Sequence, residues 1–235
     1  MFVTYADYEV APLNLQGLDK VNNSFADFVT EQEEDNLKKL FGVRLWTAFK
    51  AGIAALPAAW AVATAYIIGN TVTHSNKVWI ALQDSTGVVP GTDPLTWEDT
   101  ENKWIALKVG AEYTYNDIRY EWVGMNKMVR PMIYSLWMRH VVSDQVSSIG
   151  TVKGKSENAD MTTSNVRMNR AWNSYNALAA GGFKPPFAGV VNSLYGYLLT
   201  NASEFDSDVA PEYDEFTQYL SNEFTTPGRQ SIFDV

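Results

Sequence analysis

Short apolar and aromatic runs alternate with Gly- and Pro-containing turn signals between Trp60 and Trp97, and no other feature of the 235-residue chain limits the fold as strongly. Such alternation is typical of short β-strands joined by tight turns. The four large aromatic residues of the stretch are spaced like the core positions of a small all-β unit: Trp60, Tyr66, Trp79 and Trp97. Helical patterns precede and follow it. The sequence therefore predicts a helical body that is interrupted by a β insertion.

The segment before the insertion predicts two helices. Thr30 and Glu33 form a T-x-x-E capping box, which indicates a helix that begins at Thr30. Gly42 suits the position just after the end of that helix. A second helix is expected from Leu45 onward, because apolar residues recur there at the helical period. Residues 1–23 lack this pattern, and an edge strand or an extended arm on a neighbouring subunit is expected for them rather than a helix.

The segment after the insertion predicts the longest helix of the chain, from Gly124 to Ser147. Its apolar residues keep the i, i+3, i+4, i+7 spacing through more than four turns, and Pro131 predicts a kink or a later start. Ordinary core packing is favoured over an adaptable binding surface for the methionines of this helix. Further helices are expected at three places: from Ser164, over residues 190–201 and after Pro211.

Residues 103–120 have the pattern of strands. The run W-I-A-L-K-V predicts one strand, and the aromatic alternation around Asn116 and Asp117 predicts a small hairpin. The helical segments nevertheless dominate, so we expect a mainly α fold. Its parts are a helical bundle formed by residues 1–56 and 106–235, and a small all-β insertion formed by residues 57–105.

The composition argues against several classes of function. The formal net charge of −9 opposes electrostatic capture of nucleic acid. The chain has no Cys, and its two histidines, His74 and His140, lie in different predicted units. Since no catalytic or cofactor-binding motif is present either, we expect no metal site, no cofactor, no catalytic residues and no enzymatic activity. No apolar run is long enough for a membrane helix, and no signal peptide is recognisable.

The β insertion resembles the small chitin-binding type of carbohydrate-binding module. Ten residues match that family's pattern in order and at similar spacing: Trp60, Tyr66, Gly69, Asn70, Val72, Trp79, Ala81, Gly87, Pro90 and Trp97. The resemblance implies a sugar-stacking platform, to which an exposed aromatic pair after the position of Ala81 usually contributes. Here Leu82, Gln83 and Asp84 stand in the corresponding positions, and a Gln-Asp pair cannot stack on a sugar ring. The departure favours a structural role for the aromatic residues of the insertion over sugar binding. Similar modules are common as insertions in phage structural and tail proteins.

The segments on both sides of the insertion resemble phage head–tail connector proteins, also called adaptors, and most of all those of Bacteroidetes phages. The run D-N-L-K-K-L-F-G-V-R-L-W at residues 35–46 resembles the opening of that family. Later matches are Gly110 with Tyr113, Gly124 with Met125, and the helix from Ser164. Gly150, Val152, Lys153 and Ser156 correspond to that family's G-x-V-x-K loop and its later Ser. The resemblance implies a subunit of a ring, usually of twelve copies. Such a ring lies between the portal protein and the next neck or tail protein, and DNA passes through its channel without specific binding.

Two groups of residues are candidate contacts to another subunit or to the portal. Ile232, Phe233 and Val235 would be unusual on a free, solvated C-terminal tail, although simple disorder is the alternative. Lys153 and Lys155 belong to the basic cluster of the chain, for which an ordinary solvated loop is the alternative.

Two functions follow from the two resemblances. The first is a structural virion protein at the neck, assembled in the host cytoplasm into a ring of copies of itself. The second is a carbohydrate-binding protein for host recognition or virion decoration, which would use the β insertion to bind a glycan.

Overall fold

The computed structural model describes residues 2–9, 13, 23–149, 161–180, 192–209 and 211. The helices and strands in chain order are α1 (Asn23–Ala54), β1 (Ala65–Tyr66), β2 (Thr71–His74), β3 (Lys77–Ala81), β4 (Ser85–Thr86), β5 (Trp97–Thr100), α2 (Lys103–Val109), β6 (Ala111–Tyr115), β7 (Ile118–Trp122), α3 (Met125–Ile149), α4 (Met161–Ala180), α5 (Leu194–Thr200) and α6 (Ala202–Phe205). Short 3-10 helices add Tyr5–Tyr8 and Asp206–Asp208.

The prediction of a mainly α fold is wrong. The described residues form six helices and seven strands, with 54% of them helical and 18% in strands, so the fold is mixed α/β. The physical reason is that strands are not confined to the insertion. Strands β6 and β7 form a hairpin whose Tyr113 and Trp122 are buried in the same hydrophobic core as helix α3. A helical bundle would close this core with helices alone.

Helix α1 begins earlier than predicted and is broken where predicted. Its first residue is Asn23, and the hydroxyl of Thr30 donates to the carbonyl of Ala26 at 2.9 Å inside the helix, so the capping box at Thr30 is wrong. Phe25 is only 4% exposed in the core, which explains why packing extends the helix upstream of the cap signal. At Gly42 the backbone has φ 74° and ψ 160°, which confirms the predicted end of the first helical segment.

Helix α3 forms the centre of the larger core. It runs from Met125 to Ile149, which confirms the predicted helix within about two residues at either end. Pro131 lies inside it. Five residues of its apolar face are fully buried, and three of them are methionines, as expected for ordinary core: Met125, Met128, Val129, Met132 and Ile133.

For the residues between the insertion and α3, one prediction is wrong and one is confirmed. The predicted strand over W-I-A-L-K-V is helix α2, because the Asn102 side chain accepts hydrogen bonds from Trp104 N and Ile105 N and caps a helix start. The predicted hairpin is confirmed by antiparallel pairing of β6 with β7. Asn116 and Asp117 take positive φ of 49° and 64° at its turn, as a two-residue hairpin turn of type I′ requires.

The strands of the insertion surround a separate, small core. Strands β2, β3 and β5 form an antiparallel sheet in that spatial order, and β1 pairs with β4. We use the name β module for residues 57–102, because residues 103–105 of the predicted insertion already belong to helix α2. The remaining described residues are called the body. The core of the β module consists of Tyr66, Val72, Ala81 and Trp97 and does not merge with the core of the body.

The later helices are described in part. Helix α4 is described from Met161, so Ser164 lies inside it and is not its cap. Helix α5 occupies part of the predicted span 190–201, and Ser193 caps it by accepting a hydrogen bond from Gly196 N at 3.1 Å. The helix predicted after Pro211 lies outside the described residues.

Candidate functional site

The rings of Tyr66 and Trp97 fill the core of the β module. Trp97 is 2% exposed, and its Nε1 donates a hydrogen bond to the carbonyl of Val88 at 2.9 Å. Tyr66 lies edge-on to Trp97 with ring centroids 5.4 Å apart, and its hydroxyl accepts a hydrogen bond from Ala61 N at 2.8 Å. Because both rings are enclosed and both polar atoms are paired, neither side chain is free to stack on a ligand.

Trp60 and Trp79 are partly exposed. The Nε1 of Trp79 donates to the carbonyl of His74 at 3.1 Å, and Trp60 lies edge-on to the His74 ring at 5.5 Å. Gly91 approaches Trp79 so closely that a Cβ there would lie 3.1 Å from the Cη2 of the indole. The Nζ of Lys77 lies 5.6 Å from the centroid of the Trp79 ring. Trp79 is therefore held by a turn and a lysine, while Trp60 contacts His74 and remains partly exposed.

Gln83 and Asp84, which stand where the sugar-stacking pair would be, make hydrogen bonds to other residues of the β module. The Nε2 of Gln83 donates to the hydroxyl of Thr96 at 2.8 Å, and Asp84 accepts a hydrogen bond from Ile68 N at 2.9 Å. Leu82, the first of the three positions, is 38% exposed. Gln83 and Asp84 thus connect neighbouring loops, and no aromatic face is available at these positions.

Three exposed aliphatic residues lie on neighbouring segments at this edge of the β module. Ile68, Leu82 and Leu95 are 67%, 38% and 76% exposed, and we call them the apolar edge. Leu82 N donates to the carbonyl of Thr96, the residue after Leu95, at 2.9 Å, and Ile68 N binds the side chain of Asp84. Branched aliphatic side chains lack the flat face that a sugar requires, so this edge suits an apolar protein surface better.

A second candidate site is formed where the N-terminal segment docks onto the body. We call residues 2–9 the N-terminal arm. The carboxylate of Glu33 accepts hydrogen bonds from Phe2 N at 2.8 and 2.9 Å and from Val3 N at 3.1 Å. The ring of Phe2 stacks on Phe49 at 5.7 Å and lies 6.3 Å from Trp46. These three residues of α1, together with Arg130 of α3, form what we call the socket.

Glu33 is unusual for a charged residue of a helix because it is buried, with only 3% of its surface exposed. Burial raises the pKa of its carboxyl above the ordinary value, although the hydrogen bonds from Phe2 and Val3 act in the opposite direction. Sequence reasoning assigned Glu33 to a capping box and missed this role. The signal that could have placed Glu33 on the inner face of α1 is the apolar character of Val29 and Leu37, four residues on either side of it, and both are buried.

The remaining predicted contact residues lie outside the described part of the chain: Ile232, Phe233, Val235, Lys153 and Lys155. The two histidines are placed far from a common site, since His74 contacts Trp60 in the β module and His140 stacks on Phe28 in the body at 5.3 Å. Within the described residues, no three acidic or histidine side chains cluster in a way that could hold a metal ion.

Comparisons with protein-family models, with curated proteins and with solved structures found no match for this chain. None of the helices in the described ranges combines the length and apolarity that a membrane crossing requires.

Proposed function

We propose that this chain is a non-enzymatic structural subunit of a phage neck, which assembles with copies of itself into a ring between the portal and the tail. The two sequence resemblances support this proposal, since one is to head–tail connector proteins and the other to modules found as insertions in phage structural proteins. The proposed location is the virion, at the neck, with DNA passing through the channel of the ring. The net charge of −9 favours passage over capture, because like charges on DNA and protein repel.

The observation that carries the proposal is the exposure of aliphatic side chains on the β module. Five of the eight large hydrophobic residues that are exposed in the described part of the chain lie there: Val62, Ile67, Ile68, Leu82 and Leu95. The module is a minor part of the described residues, so exposed apolar surface is concentrated on it. Such concentration favours a protein contact. In the ring, the apolar edge of one subunit packs against its neighbour.

The proposal is tested by the oligomeric state of the purified full chain. Light scattering after size exclusion and electron microscopy are expected to show rings, and addition of the portal protein is expected to cap them. Replacing Ile68 and Leu95 together by Ser is expected to weaken the ring, because the new hydroxyls have to be desolvated in the contact. Val166→Ser, at an exposed valine of helix α4, is the matched control. A chain that stays monomeric, together with virions that lack a ring beneath the portal, contradicts the proposal.

A second candidate function is glycan binding by the β module, and the partial exposure of Trp60 and Trp79 favours it. An exposed indole face is the surface on which a sugar ring stacks. Chitin pull-down and a glycan array measure such binding, with Trp60→Ala as the test variant and Leu95→Ala as the control. Binding that survives Trp60→Ala in a folded module contradicts this function.

A further inference from the structure

The exposed face of helix α4 is basic, although the chain as a whole is acidic. Arg167 and Arg170 are exposed and lie one turn apart in the interior of the helix. Asn169 and Asn173 are exposed as well and supply further hydrogen-bond donors. We call these four residues the basic face. None of the chain's 27 acidic residues falls within residues 161–203, so this segment has no carboxylate of its own to neutralise the arginines.

Helix α1 has an acidic surface in its first half. Asp27, Glu31 and Asp35 follow one another at intervals of four residues, and all three are exposed. We call them the acidic stripe. They lie on the side of the helix opposite to the buried residues Val29 and Leu37, so the stripe is directed away from the core.

Neither surface is neutralised within one chain. Across the ranges that the structure describes, the charged side chains of the acidic stripe and of the basic face form no ion pair and no hydrogen bond. Like charges three or four positions apart on a helix repel each other, so both surfaces carry an unfavourable interaction. The helix dipole acts only within the first and last turns, and these residues lie beyond them. Both surfaces therefore gain free energy when opposite charge approaches.

The two surfaces are complementary, and their signs decide which surfaces of two copies can meet. Contact between two acidic stripes, or between two basic faces, brings like charges together and is unfavourable. Contact between the acidic stripe of one copy and the basic face of the next is favourable. In such a pair, one basic face and one acidic stripe remain open, so the contact can repeat from copy to copy. A repeated contact of this kind closes into a ring where its rotation allows.

We infer that adjacent subunits meet head to tail, with the acidic stripe of one copy on the basic face of the next. This inference rests on the proposed ring and specifies a second surface through which its subunits are linked, in addition to the apolar edge. Guanidinium groups bind carboxylates through paired hydrogen bonds, which Arg167 and Arg170 can form with the stripe. Charged pairs contribute mainly to the orientation and the rate of association. They therefore select which surfaces meet, while the apolar edge contributes buried area.

The test reverses the charges of the two surfaces in separate chains. The first variant combines Arg167→Glu with Arg170→Glu, and the second combines Glu31→Arg with Asp35→Arg. Because all four positions are exposed, both variants are expected to fold, which circular dichroism checks. Each variant alone brings like charges together at every contact. It is expected to assemble about tenfold or more weakly than the unchanged chain.

A mixture of the two variants restores opposite charges at every contact between unlike chains. It is expected to assemble like the unchanged chain, into rings in which the two variants alternate. Native mass spectrometry measures the size and the composition of these rings. The matched control combines Glu101→Arg with Glu121→Arg, which adds the same charge at exposed carboxylates outside both surfaces. This control is expected to assemble without a partner variant.

The outcomes separate the contact from the ring. If each variant assembles alone as well as the unchanged chain does, or if mixing restores nothing, the contact is overturned and the ring stands. A first variant that loses binding to duplex DNA but still assembles assigns the basic face to DNA and also overturns the contact. A mixture that stops at pairs of chains overturns the head-to-tail arrangement. An unchanged chain that stays monomeric overturns both the contact and the ring.

Discussion

The body and the β module each enclose a buried tryptophan, but they enclose it in cores of very different size. Trp122 is 0% exposed and its Nε1 donates to the carbonyl of Leu107, while Trp97 is 2% exposed and its Nε1 donates to the carbonyl of Val88. The core around Trp122 contains 27 buried residues in the described part of the chain, and the core around Trp97 contains four. The body is thus stabilised by extensive burial, whereas the module depends on a few rings and its turns.

The largest expected effect comes from removing these two indoles. Trp122→Ala is expected to destabilise the body by about 3–5 kcal/mol, because it opens a cavity and removes the donor that pairs with the carbonyl of Leu107. Trp97→Ala is expected to cost a similar free energy but to unfold the β module alone, since the two cores are separate. Hydrogen exchange measured by mass spectrometry distinguishes the two outcomes. Trp97→Ala should expose residues 57–102 and leave α3 protected.

Trp97→Phe is the milder variant, because it keeps one aromatic ring in the core and loses the hydrogen bond to Val88 and only part of the indole volume. If Trp97→Ala also removes the protection of α3, the two cores unfold together and the comparison between body and module is wrong.

The features that the sequence predicted well are those that depend on local chemistry. Gly42 ends a helical segment because glycine tolerates positive φ, and Asn116 with Asp117 turns the hairpin for a related reason. The long helix α3 has an apolar period that does not depend on its surroundings. The β-type pattern of residues 60–97 likewise reflects turn residues and alternation within one short stretch.

The predictions that failed concern segments whose structure depends on distant partners. Residues 103–109 form a helix because Asn102 caps its start and because Leu107 is buried in the core of the body. In the first residues, for which an edge strand or an extended arm on a neighbouring subunit was expected, Tyr5–Tyr8 form a 3-10 helix. The Tyr8 hydroxyl donates to the carbonyl of Arg130, 122 positions away in sequence. The mainly α fold was wrong for the same reason, since the sequence does not reveal that the hairpin β6–β7 covers the core of the helices.

The candidate sites show the same difference between features set by local chemistry and features set by distant partners. The sequence indicated that Gln83 and Asp84 could not form a sugar platform, because side-chain chemistry alone decides that point. It gave no indication that Gln83 binds Thr96 or that Glu33 binds the arm, because those partners lie 13 and about 30 residues away.

Two glycines sharpen the comparison between the body and the module. Gly124 has φ 90°, and a Cβ there would lie 2.4 Å from the carbonyl carbon of Val109. Gly124→Ala therefore combines backbone strain with overpacking and is expected to cost about 2–4 kcal/mol. Gly69 in the module has φ 85° but no atom within 4 Å of such a Cβ, so Gly69→Ala is expected to cost only about 1 kcal/mol. Denaturant unfolding measures the loss of stability in both variants. Equal losses would show that backbone strain alone, and not the close contact at Gly124, determines the cost.

Glu33 introduces a pH dependence of opposite sign to that of Asp93 in the β module, where the hydrogen bond from the Thr96 hydroxyl lowers the pKa of the carboxyl. Burial raises the pKa of Glu33 in the folded chain above its unfolded value of 4.5, so the folded state binds the proton more tightly. The resulting stabilisation is fully present below pH 4.5 and is lost as the pH rises through the raised pKa of the folded state. The unfolding free energy of the body, relative to Glu33→Gln, should therefore increase as the pH falls from neutral. A constant difference between the two proteins at all pH values contradicts the raised pKa.

The smallest expected effect compares two lysine–aspartate pairs, one in each region. In the module, Lys77 pairs with Asp99, and the two side chains are 54% and 35% exposed. In the body, Lys103 pairs with Asp208 at 2.7 Å, with exposures of 26% and 19%, and also donates to the carbonyl of Glu204. Lys77→Met also removes the contact of the Lys77 Nζ with the Trp79 ring at 5.6 Å. It is still expected to cost less than about 1 kcal/mol, because water and salt screen the exposed ammonium.

Lys103→Met is expected to cost more, about 1–3 kcal/mol, because it leaves Asp208 with less compensation and removes the donor to Glu204. Its ammonium also lies 4.6 Å from the ring centroid of Trp104, and that cation–π contact is lost as well. Thermal unfolding in low and high salt measures both variants. The effect of Lys77→Met should vanish in high salt while that of Lys103→Met persists. Equal sensitivity to salt would show that the pair in the body is as open to water as the pair in the module, and would remove this difference between the two regions.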